Sequence, residues 1–133
     1  MRFMIIVKAT RDSEAGVMPG EELLAEMLGF HEELARAGVL LDGSGLQPSA
    51  KGWRIRYNSG QRAFVDGPFA ETKEQLTGFY MIEAKDLDEA IHLAAKIPPG
   101  RLGSIEVRPV RPIRETVARQ RSQPLRKPER SAS

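Results

Sequence analysis

Cysteine is absent from the 133 residues, which excludes disulfides, thiolate nucleophiles and cysteine-bound zinc and gives an oxidising compartment no support. Histidine occurs twice, as His31 and His92, so a metal site built on several imidazoles is excluded as well. Long apolar runs are also missing. The segment Phe3 to Val7 is closed by Arg2 and Lys8, far short of the ~20 residues that span a bilayer and below the ~7–15 of a signal-peptide core. The chain therefore reads as soluble and cytoplasmic, with no membrane partner. No cofactor motif is present. Gly43-Ser44-Gly45 is followed by Pro48 and not by a helix, so it lacks the helix N-terminus that a phosphate needs and reads as a bend or bulge.

What is present is ordinary globular composition, 41% hydrophobic and 29% charged, in a length that holds one core and no second catalytic domain. The net charge of +2 is unevenly spread. Residues 111–133 carry seven basic side chains against Glu115 and Glu129, which is +5 and leaves −3 for residues 1–110. The body is thus mildly acidic, and 111–133 reads as a flexible basic tail broken by Pro112, Pro124 and Pro128. Without interleaved aromatics, that tail predicts at most weak contact with nucleic acid.

Alternation over Arg2 to Lys8 predicts a strand with Phe3, Ile5 and Val7 on one face and Met4 and Ile6 on the other. A helix follows near 20–37, with Pro19 at its start, Gly38 at its end and a stripe of Leu24, Met27, Leu28, His31 and Ala35. Val39 to Leu41 leads a second strand. Trp53, Ile55 and Tyr57 alternate with Arg54 and Arg56, and Asn58-Ser59-Gly60 turns this run into another near Arg62 to Val65, which makes a hairpin. Thr77 to Ala84 is a further strand. Asp86 with Glu89 starts a helix near 87–96, striped by Leu87, Ala90, Ile91, Ala94 and Ala95, with His92 on its wet side. Pro98-Pro99-Gly100 stops it, and Ser104 to Val110 is the last strand before Pro109 and Pro112 end regular structure.

The order β-α-β, hairpin, β-α-β is an α+β, ferredoxin-like βαβ(hairpin)βαβ sandwich, an antiparallel sheet with both helices on one face. Sets such as Met4 with Ile6 and Tyr80 with Ile82 would leave the other face apolar. A second copy packing sheet to sheet is the economical cover, so a homodimer is expected.

Asp66-Gly67-Pro68-Phe69 runs on through Ala70-Glu71-Thr72-Lys73-Glu74-Gln75-Leu76-Thr77-Gly78. With Glu33-Leu34, Ala37-Gly38-Val39-Leu40, Gly45-Leu46-Gln47-Pro48, Asp88-Glu89-Ala90 and Glu106-Val107-Arg108-Pro109-Val110, this block resembles the DGPF proteins, a branch of the YCII-related family. The likeness covers nearly all of residues 1–110 and leaves out the tail. It implies a dimeric α/β barrel. It also implies either a lyase-like activity on small cyclic acids or chlorinated aromatics, as in some YCII-related enzymes, or a regulatory module accompanying extracytoplasmic-function sigma factors. The family's enzymes use a His–Asp pair whose histidine lies early in the first helix. Met27 stands in that place here, so the pair does not carry over.

The candidate site therefore rests on this chain's own residues. Gly67 permits positive φ and Pro68 holds Gly67 away from helix, so the chain turns sharply and Phe69 plugs the interior beside the turn. Thr72, Lys73 and Glu74 follow with a hydroxyl, an ammonium and a carboxylate, suited to a small anionic ligand. His31, one turn beyond Met27, is either a hydrogen-bonded interface histidine or a base. Asp66 is either a turn cap or a base. Arg56 either holds an anionic group or stands on an exposed strand face. The expected protein is a homodimer that binds a small anionic or cyclic molecule, with acid–base chemistry, no cofactor and no metal. The alternative is a non-catalytic regulatory module.

Overall fold

A computed structural model describes residues 1–69, 75–98 and 104–122. Its strands are β1 (Arg2–Lys8), β2 (Leu40–Gly45), β3 (Trp53–Asn58), β4 (Gln61–Asp66), β5 (Leu76–Glu83) and β6 (Ile105–Pro109). Its α-helices, among the described residues, are α1 (Arg11–Glu14), α2 (Glu21–Arg36), α3 (Leu87–Ala94) and α4 (Ile113–Ser122). A single 3₁₀ turn, Ser49–Lys51, separates β2 from β3. The main sheet is antiparallel in the order β2-β5-β1-β6, and among the described residues β3 pairs only with β4. Omitting that hairpin leaves the split βαβ order, with β5 between β1 and β2 and β1 between β5 and β6. The architecture is the expected α+β sandwich with its helices on one face. The sheet is open, so this chain forms no closed barrel among its described residues.

Phe3, Ile5 and Val7 of β1 are buried beneath the helices. Across the β1–β5 ladder, Phe3 faces Ile82 and Ile5 faces Tyr80, so Tyr80 and Ile82 belong to the same core and not to the uncovered face. That corrects the strand-face expectation by one residue. Every residue from Phe79 to Ile82 is apolar or aromatic, so alternation could not say which pair turns inward, and only the pairing register decides it. The open face carries Met4, Ile6, Phe79 and Met81, each partly exposed.

The helix stripes rotate in the same way. In α2 the buried residues are Phe30 and Leu34, while Leu24 and Leu28 are exposed. Leucines at 23, 24 and 28 made the apolar arc too broad to fix its centre, and the Phe30 ring meets Tyr80 edge to face at 5.3 Å. In α3, Ala90 and Ala94 are buried, whereas Leu87 and Ile91 are exposed. Gly20, not Pro19, stands at the N-terminus of α2, and Gly38 closes it at φ +73°. Asp86 caps α3 by accepting from the Glu89 N–H at 2.9 Å, and Glu89 reaches the Lys85 N–H at 3.4 Å.

Past Pro112, where regular structure was expected to end, the chain forms α4. None of its residues is buried, and an Arg119–Glu115 pair at 3.6 Å braces it.

Candidate functional site

β1 delivers the chain to Thr10, which caps α1 reciprocally. The Thr10 hydroxyl accepts from the Ser13 N–H at 3.2 Å, and the Ser13 hydroxyl accepts from the Thr10 N–H at 2.8 Å. This short helix and the loop after it lean over the helix side of the sheet edge. Between them, α2 and β2 lies a cavity of about 480 Å³. Leu23, Met27 and His31 line it from α2, Thr77 to Tyr80 from β5, Gly43 to Pro48 from β2 and beyond, and Thr10, Asp12 and Ser13 from the α1 region. Val7, Val17 and Met18 add to a wall that is largely apolar.

Among the described residues, His31 is the one sequence-predicted site residue on that wall. Its ring is tilted beside Tyr80, with centroids 6.2 Å apart, and among the described residues it makes no hydrogen bond. Gly43 makes this pairing fit: a β-carbon there would stand 2.9 Å from Tyr80 Cδ1 and 3.4 Å from His31 Nδ1. Burial pushes the Tyr80 phenol above its ordinary pKa, so the group stays protonated at neutral pH. The cavity therefore joins an imidazole with two ring nitrogens to a phenol O–H, in apolar surroundings that strengthen both.

The DGPF turn stands elsewhere. Asp66 ends β4 exposed to solvent, and Arg56 is exposed on β3; neither lines the cavity. Thr72, Lys73 and Glu74 lie outside the described residues. Gly67, Pro68 and Phe69 form a clasp. The Gly67 N–H donates to the Gly52 carbonyl at 3.1 Å, and the Phe69 N–H donates to Ser49 Oγ at 3.0 Å. Ser49 in turn donates to Glu14 twice, from its N–H to Oε1 at 3.0 Å and from its hydroxyl to Oε2. Phe69 is only partly buried, with the Arg54 guanidinium 4.0 Å over its ring.

Gly67 has no positive φ. Its requirement is close approach, because a β-carbon would overlap the Ser49 carbonyl oxygen and lie 2.5 Å from the carbonyl carbon. The clasp fixes the 3₁₀ turn to α1. Pro48, next to Ser49, is itself cavity wall, so the turn borders the pocket without entering it.

Sequence reasoning missed Tyr80, Gly43 and the Thr10–Ser13 cap as parts of this site. Thr10 and Ser13, three apart, carried a capping signal. Tyr80 carried none until the β1–β5 register was known.

These features define a split-βαβ sandwich with a pocket beside its edge strand. The YCII-related domain matches residues 1–114, and the chain belongs to the YCII-related family. It is 37% identical over 92 residues to an uncharacterised protein of Rhizobium meliloti (strain 1021), a match covering 68% of this chain and 74% of that one. A solved structure similar to it is the 5-chloro-2-hydroxyhydroquinone dehydrochlorinase of Burkholderia phenoliruptrix AC1100 in complex with 2,5-dihydroxybenzoquinone. That likeness has a TM-score of 0.45 and 16% identity, covering 84% of this chain and 94% of the other. Among the described residues no helix is long and apolar enough to cross a membrane, and no cluster of His, Asp and Glu is arranged to hold a metal ion.

Proposed function

We propose that this protein is a homodimer, joined through its open sheet face, that binds a small ring-bearing molecule with an anionic or oxygen substituent in the α2–β5 cavity. There it moves a proton in a lyase- or isomerase-like step. The carrying observation is the His31–Tyr80 pair on the wall of a 480 Å³ cavity, a size within the ~300–1,000 Å³ of small-molecule pockets. The His31 imidazole accepts the proton from a carbon next to a carbonyl. The charge left on the substrate oxygen accepts a hydrogen bond from the Tyr80 hydroxyl, which burial keeps protonated. The apolar lining accepts the ring and keeps water from competing for the oxygen.

The test is thermal-shift screening with small cyclic carboxylates, phenols and quinols, followed by titration of any binder against His31→Ala and Tyr80→Phe. A ligand at 100 times its Kd adds about 2.7 kcal/mol of stability. Loss of binding or turnover in both variants, at unchanged fold, is expected. Binding that ignores both substitutions places the ligand elsewhere and refutes the assignment.

A further inference from the structure

The β3–β4 hairpin presents a second apolar surface. Its two-residue turn has φ +50° at Ser59 and +80° at Gly60, the geometry that matches strand twist. The register sets Trp53 opposite Asp66, Ile55 opposite Phe64 and Tyr57 opposite Arg62. Because side chains alternate, Trp53, Ile55, Tyr57 and Phe64 all stand on one face. They are 65%, 44%, 71% and 66% exposed. Arg54, Arg56 and Ala63 take the other face with Val65.

A two-stranded ribbon alone in water is marginal, and this one pairs with no strand of the main sheet. We infer that it is an arm whose Trp53, Ile55, Tyr57 and Phe64 face is buried against a second copy of this chain, extending the sheet-face dimer. The inference rests on the dimer proposed above and adds to it.

Area selects this occupant. Aromatic side chains offer ~150–250 Å² each, so three at about two-thirds exposure leave roughly 300–500 Å² of apolar surface on the hairpin. A stable interface needs about 800 Å² per partner. The hairpin thus supplies about half, too little for a dimer by itself, and the partly exposed Met4, Ile6, Phe79 and Met81 supply an apolar surface for the rest. Charges match as well. Arg62 and Asp66 close the hairpin face at its two ends; on the open sheet face Glu83 and Glu106 pair with the N-terminus and Lys8, which leaves Arg2 and Arg108 as rim cations for the Asp66 carboxylate of a second copy in a two-fold arrangement.

Trp53 is the single tryptophan and reports on this face directly. Sedimentation and Trp53 emission are recorded over the same dilution series, for wild type, Phe64→Lys and Tyr57→Lys. The expected result is a dimer whose emission shifts to the red as it dissociates, with each substitution weakening the dimer at least about tenfold. Both side chains are exposed in the single chain, so the dilute variants melt like the dilute wild type. A dimer that forms while Trp53 emission stays that of a water-exposed indole, and that both variants leave intact, overturns the arm and leaves the sheet-face dimer standing. A monomer at every concentration overturns both.

Discussion

Gly67→Ala tests whether the DGPF turn is held by close approach. The new β-carbon collides with backbone, the carbonyl of Ser49, and no rotamer change can relieve it. Either the clasp opens or the 3₁₀ turn moves. Opening forfeits the Gly67–Gly52 and Phe69–Ser49 hydrogen bonds, at ~0.5–1.5 kcal/mol each, and moving the turn is an overpacking strain of ~1–3 kcal/mol. The expected loss by either route is about 1–3 kcal/mol, a fall in Tm of roughly 4–12 °C for a chain of this size. Denaturant melts measure it. Amide exchange locates it, since the Phe69 N–H should lose protection while the core amides of Ile5 and Ile82 keep theirs in proportion to global stability. Asp66→Asn is the control, as that side chain is exposed and asparagine supports the same turn. A Gly67→Ala protein within ~0.5 kcal/mol of wild type would refute the close-approach argument.

Three further outcomes are expected. Ser49→Ala removes the hydroxyl that accepts from Phe69 and donates to Glu14, and should cost about 1–3 kcal/mol in denaturant melts. Deleting residues 114–133 should lower Tm by no more than about 3 °C, because no residue of α4 is buried; a larger fall would show that the helix packs on the body or a partner. In a Tyr57→Phe background Tyr80 is the sole tyrosine, and its phenolate absorbance should appear above the usual pH of ~10. The unfolded phenol then loses its proton first, so stability at neutral pH is unaffected and falls as pH rises past ~10. Tyr80→Phe should remove that slope.

Local chemistry determined much of this protein in advance. The β3–β4 turn was legible in Asn58-Ser59-Gly60, the end of α2 in Gly38, the start of α3 in Asp86, and the sandwich in the order of the elements, because each depends on neighbours a few residues apart. The block beginning at Asp66 pointed to the family for the same reason. Tertiary structure alone decided which side of an element faces inward. Phe79 to Ile82 is apolar on both faces and α2 has leucines on both flanks of its stripe, so the inward set came from the β1–β5 register and from the fit of Phe30 against Tyr80. The site followed that choice. His31 meets Tyr80 because Gly43, in a strand that begins four residues after α2, leaves space beside them, and Gly67 meets Ser49 across a whole hairpin. Contacts between residues tens of positions apart depend on how the elements stack, and alternation or helical spacing within one element does not contain that information.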